Sequence, residues 1–155
     1  MRVRPICSLL VVATVACGGR SRPEAAATPA TAQYLTPFGA PTRPFSPAVR
    51  VGNMLYLSGQ IGTSADANGG LVGGGIEAET RQTMENIRAV LERSGSSIDR
   101  VVKCTVMMAD MREWDRMNVV YTSFFPKNKP ARSAFGANGL ALGARVEIEC
   151  WATVG

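Results

Sequence analysis

Arg145-Val146-Glu147-Ile148-Glu149-Cys150-Trp151-Ala152-Thr153-Val154 decides the class of fold. Val146, Ile148 and Cys150 alternate with Glu147 and Glu149, the two-residue period of a β-strand with one apolar face and one acidic face. Upstream, Asn138 to Ala144 is a glycine-containing loop, and Ala131 to Ala137 reads as the strand before it. Arg100 to Met108 is a further strand, and Met54 to Ile61 an earlier one. Two helices are interleaved with these strands. Glu77 to Arg93 repeats Thr80, Met84, Ile87 and Leu91 at three- and four-residue spacing, with acids in its first turn and Gly95 as a C-terminal cap. Asp110, with Glu113 three residues on, opens a second helix in the manner of a capping box. Its buried stripe is Trp114, Met117, Tyr121, Phe124 and Phe125, it ends before Pro126, and core packing accounts for its aromatics. The order predicts an α+β domain with two helices packed over one face of a mixed sheet.

The chain has 155 residues, 46% hydrophobic and 19% charged, enough for one globular domain and not two. It contains no histidine. That excludes a Ser-His or Cys-His nucleophile, a histidine general base and a histidine-ligated metal. No apolar run reaches the ~18 residues that cross a bilayer. Gly69 to Gly75 is glycine-rich but lacks the order and the lysine of a P-loop, so it reads as a flexible turn.

At the N-terminus, Arg2 and Arg4 precede the apolar stretch Pro5 to Ala16, followed by Cys17-Gly18-Gly19. This is the grammar of an export signal. Thr14-Val15-Ala16-Cys17 resembles a bacterial lipobox, with Thr14 where leucine is usual. The expected division is a signal peptide over 1–16, a flexible Ala/Thr/Pro-rich tether over 17–34 and a folded domain over 35–155. Such a protein would be exported to the periplasm and held on the outer membrane through lipid on Cys17, its one membrane contact. A plain secretory signal is the alternative. Removing residues 1–16 lowers the net charge from +5 to +3, and the remaining basic residues are scattered singly, which gives nucleic-acid binding little support. Cys104 and Cys150 stay in the folded body. Export permits a disulfide between them. Both lie in strand-like apolar runs, however, where a buried free thiol is the more common state.

Glu147 and Glu149 share a strand face, and such pairs are usually just solvated. Arg132 opens the preceding strand, however. In an antiparallel hairpin Arg132 and Glu147 would lie nearly opposite each other. Without a hairpin, they could meet across a subunit boundary. Either geometry sets a planar guanidinium, suited to a carboxylate, beside an acid able to move a proton or orient a water. A structural salt bridge is the plainer alternative.

Pro130-Ala131-Arg132-Ser133, a spacer, and Val146-Glu147-Ile148-Glu149 together resemble the C-terminal signature of the RidA/YjgF family of reactive enamine/imine deaminases. The likeness continues in order through Val51 to Ile61, Glu85-Asn86-Ile87, Val102 to Val106, and Met117 to Tyr121 with Phe124-Phe125, covering roughly residues 40–155. It implies a chorismate-mutase-like α+β fold, a homotrimer, and clefts between neighbouring subunits. It also implies hydrolysis of 2-enamine or 2-imine intermediates, such as 2-aminoacrylate or 2-iminobutyrate, to 2-keto acids and ammonia, without metal or organic cofactor. By position, Arg132 would hold the substrate carboxylate and Glu147 would orient or activate water. Ser58 and the Gly59 backbone would line the pocket, with Asn118 contributing from the helix side.

The chain departs from the family pattern at several places. Phe45, after Pro44, stands where a pocket tyrosine is common, so the ring is kept and the hydroxyl lost. Ala134 replaces a frequent cysteine, the proline of the last loop is missing around Ala141, and Asn138 is unusual at its place. Two further readings follow: a trimeric module that binds small carboxylates or keto acids without turnover, and a ribonuclease, an activity attached to some relatives. The lack of histidine and of a basic patch weighs against the ribonuclease.

Overall fold

The computed structural model describes residues 29–40 and 43–155. Its strands are β1 (Ala32–Leu35), β2 (Ala48–Val51), β3 (Met54–Leu57), β4 (Gln60–Ile61), β5 (Val101–Met108), β6 (Ala131–Gly136) and β7 (Val146–Thr153); its helices are α1 (Gly75–Arg93) and α2 (Trp114–Ser123). They form one sheet in the order β1-β2-β3-β7-β5-β6, with β4 carrying the line of β3 further along β7. The expected α+β architecture, with both helices over one sheet face, is the architecture found.

Local chemistry explains the elements. β2 and β3 are joined by the two-residue turn Gly52-Asn53, with Gly52 at φ +60°, where a side chain would be strained. α1 ends as expected: Gly95 takes φ +80°, Ser96 N–H donates to Leu91 O and Gly95 N–H to Glu92 O, the paired bonds of a Schellman cap. β5 and β6 run parallel because α2 returns the chain over the sheet between them. Met84, Ile87 and Leu91 of α1 and Met117 of α2 are fully buried in one core with Leu55, Val106, Met108, Ile148 and Cys150 from the strands.

Of the two arrangements left open for the last strands, the hairpin is excluded: β7 pairs antiparallel with one edge of β5, and β6 pairs parallel with the other. β7 buries every second residue from Val146 to Ala152, which requires an interior place in the sheet. β6 has no buried residue and occupies the edge. Several expectations are corrected. The strand expected over 54–61 is broken at Ser58-Gly59, where the pairing with β7 slips by one residue, a β-bulge. β1 takes three of its four residues, Ala32, Gln33 and Tyr34, from the expected tether, so the sheet begins before residue 35, β2 giving that strand an edge to pair with. The capping box is half made: Asp110 accepts from Arg112 N–H, but the Glu113 carboxylate turns away to the Arg145 guanidinium, an ionic partner stronger than a backbone amide.

The expected free thiols are a disulfide. Cys104 and Cys150 are directly opposed in the antiparallel β5/β7 pair, both on the buried face, with Cα atoms 4.1 Å apart. Apolar surroundings favour buried thiols, but cross-strand opposition brings the two sulfurs together, and only the sheet topology supplies that opposition. Residues 1–28, and with them the signal, Cys17 and most of the tether, lie outside the described residues.

Candidate active site

Arg132 leaves β6 on the helix side of the sheet, because it stands beside Cys104, whose side chain points into the core. There the guanidinium Nη1 donates to Asn118 Oδ1 at 2.7 Å. Its Cζ lies 4.9 Å from the Trp114 ring centre and 4.8 Å from that of Tyr121. Every ion pair among the described residues involves Arg88, Arg112, Arg116 or Arg145, so Arg132 keeps its charge free of any carboxylate. It borders a cleft of about 220 Å³ together with Asn118, Tyr121, Phe125, Lys129 and Pro130. A guanidinium with open N–H edges at a small cleft is equipped to take a carboxylate in two parallel hydrogen bonds.

Glu147 points the other way. It stands beside Met107 on the open face of the sheet, between the inward Val146 and Ile148. Its side chain lies over Gly59 at the bulge: a Cβ placed on Gly59 would come within 3.0 Å of the Glu147 carboxyl carbon. Half-burial, and after it the like charge of Glu149 on the same face, hold the Glu147 carboxyl above its ordinary range. A carboxylate so placed is a stronger base than a solvated one. Ser58 is fixed beside it, with Oγ donating to Ser46 O at 2.7 Å and N–H to Pro47 O at 3.0 Å. Gly59 is therefore required by close approach, and its backbone borders the carboxylate.

Phe45 sits one residue before that Ser46 carbonyl and lines a separate cleft of about 290 Å³ with Phe38, Arg43, Gln60, Thr63 and Val90. The chain thus gathers the six expected residues into two groups. Arg132 and Asn118 form one, and Ser58, Gly59 and Glu147 the other, with Phe45 close in sequence to the second group's anchor. Register places Arg132 and Glu147 on opposite sides of β5 and three positions apart along it, roughly 14 Å between Cα atoms, and on opposite faces.

Trp114 and Tyr121 were expected only as core residues. Trp114 is partly exposed and both rings contact the guanidinium. The signal was present in the sequence, since 114, 118 and 121 share one helical stripe, but nothing there said that Arg132 would come under it.

The fold and the site together define a small α+β protein whose sheet carries at one edge an arginine with no carboxylate partner among the described residues, and at its bulge a half-buried glutamate. The endoribonuclease L-PSP family model matches residues 37–154. A RutC family protein of Pyrococcus horikoshii is 41% identical over 109 residues, 70% of this chain and 86% of its own length. The 2-iminobutanoate/2-iminopropanoate deaminase of Mus musculus is 39% identical over 112 residues, 72% of this chain and 82% of that protein. Among solved structures, the Rid-family protein YyfA of Yersinia pestis superposes with a TM-score of 0.72 at 37% identity, covering 80% of this chain and 100% of that one. The chain belongs to the RidA/YjgF family, also described as endoribonuclease L-PSP. Relatives named as imine deaminases at about 40% identity support a RidA-type function.

Proposed function

We propose that the chain is a hydrolase of reactive 2-enamines and 2-imines, releasing 2-keto acids and ammonia. The observation that carries this reading is the Arg132 guanidinium, partnered by Asn118 and free of any carboxylate among the described residues. In this reading Arg132 binds the substrate carboxylate in its planar fork and fixes the imine carbon. Glu147 accepts a proton from a water as its oxygen attacks that carbon. That proton passes to the imine nitrogen to complete a neutral carbinolamine, and the carbinolamine hydroxyl then gives its proton to the same nitrogen as the C–N bond breaks and the C=O forms, releasing ammonia and the keto acid. An imine carbon is already electrophilic, so positioning and one held water account for the acceleration.

Because Arg132 and Glu147 diverge within one chain, the reading requires the Arg132 group of one copy to face the Glu147, Ser58 and Gly59 group of another. A homotrimer with three such clefts meets that requirement, and the part-exposed Tyr56 and Trp151 on the open sheet face offer apolar surface for it to cover. Export through the 1–16 signal, with lipid on Cys17, is part of the same proposal. The Cys104–Cys150 disulfide supports it, since such bonds persist in oxidising compartments.

The test is keto-acid release from freshly generated 2-iminobutyrate. Acceleration by the wild-type chain that is lost in Arg132→Ala is expected; no acceleration by the wild type overturns the reading. Phe45, which lacks the hydroxyl of the usual tyrosine, favours a second reading, a carboxylate-binding trimer without turnover. Calorimetric binding of 2-ketobutyrate that survives Glu147→Gln, with no turnover under any condition, would select the binder.

A further inference from the structure

One stripe of one helix supplies three contacts to the Arg132 guanidinium. Trp114, Asn118 and Tyr121 are spaced four and three residues apart along α2, so their side chains share a face. Asn118 takes Nη1 in the plane of the guanidinium, while Trp114 and Tyr121 lie within 4.9 Å of Cζ. Rings engage a guanidinium through its flat faces and leave its edges free for hydrogen bonds. Tyr121 is almost wholly buried and its hydroxyl has no partner among the described residues, so its contribution at Arg132 comes from the ring. Burial pushes the phenol up to about 12, against the opposing pull of the Arg132 charge, and the ring stays neutral at ordinary pH.

We propose that Trp114 and Tyr121 are positioning residues, two rings that clamp the Arg132 guanidinium and thereby set affinity for a carboxylate guest. This rests on Arg132 being the carboxylate anchor. A long, flexible arginine loses rotamer freedom on binding an anion. A clamp imposes that loss during folding instead, so the open edge already points at the cleft when the guest arrives.

The experiment is calorimetry of 2-ketobutyrate on the full chain, with kcat and KM for 2-iminobutyrate measured in parallel. Trp114→Leu and Tyr121→Leu are expected to raise Kd and KM about five- to thirtyfold, with kcat little changed. Trp114→Phe and Tyr121→Phe restore a ring and are expected to recover most of the affinity. Trp114 is only partly buried, so its variants keep the test available if Tyr121→Leu does not fold. Equal losses in the Phe and Leu variants would mean that an aromatic ring at these positions does not set the affinity, which overturns the clamp. Wild-type affinity in Trp114→Leu, with binding lost in Arg132→Ala, overturns the clamp and leaves the anchor standing. Wild-type affinity in Arg132→Ala overturns the anchor and the clamp together.

Discussion

Arg132 and Glu147 face opposite sides of the same sheet, with β5 between them: Arg132 stands beside the inward Cys104, Glu147 beside the outward Met107. No side-chain rotation within one chain brings them onto one substrate. A reaction that uses both must use two copies of the chain, one giving its arginine and the other its glutamate.

Complementation tests this sharing. The Arg132→Ala and Glu147→Gln proteins are each expected to be inactive in keto-acid release. Unfolded and refolded together in equal amounts, they should regain about a quarter of wild-type activity, because that fraction of clefts draws an intact arginine from one variant and an intact glutamate from the other. A mixture as inactive as its components would overturn the sharing of one cleft by two copies.

The raised Glu147 carboxyl sets an acid limb. Activity that needs Glu147 ionised should fall, as pH drops, at a value above the ordinary 4.5 of a glutamate. Glu149→Gln removes the nearby like charge, so the limb should move to lower pH, measured as kcat/KM against pH. Linkage has the matching sign. The folded state holds the Glu147 proton more tightly than the unfolded chain, so this group's contribution to stability falls as pH rises from 4.5 through the raised value, and it recovers on acidification. A limb at the same pH in wild type and Glu149→Gln would show that Glu149 has no hold on Glu147.

Gly59→Ala places a Cβ against the Glu147 carboxyl group. The side chain must swing aside or the bulge must shift, so activity should be lost at a stability cost of about 1–3 kcal/mol. Denaturant unfolding read alongside the deaminase assay checks both. Full activity in Gly59→Ala would show that the close approach carries no functional constraint.

Reduction of Cys104–Cys150 opens a cross-link between residues separated by 46 positions. By the chain-entropy relation this lowers stability by about 4 kcal/mol. Unfolding with and without a strong reductant, with intact mass reporting the two hydrogens gained, measures it. Identical midpoints for oxidised and fully reduced protein would refute the contribution.

The elements themselves were legible wherever they depend on local periodicity. The α1 stripe of Thr80, Met84, Ile87 and Leu91, the stop at Gly95, and the alternation in β7 are fixed by neighbours a few residues away, and all were found. The bulge at Ser58-Gly59 was not legible, because a slip of one residue is defined only against β7, nearly ninety positions downstream. Neither was the pairing of the cysteines, whose apolar surroundings look alike for thiols and for a disulfide.

By itself the sequence determined the composition of the layers and the kinds of group available for chemistry: an arginine, a glutamate, a serine with a glycine after it, and no histidine. Only the tertiary structure decided which of these stand together. Strand order and sheet face are set by long-range pairing, and the placement of β5 between β6 and β7 put Arg132 under the Trp114 and Tyr121 rings while turning Glu147 to the other face.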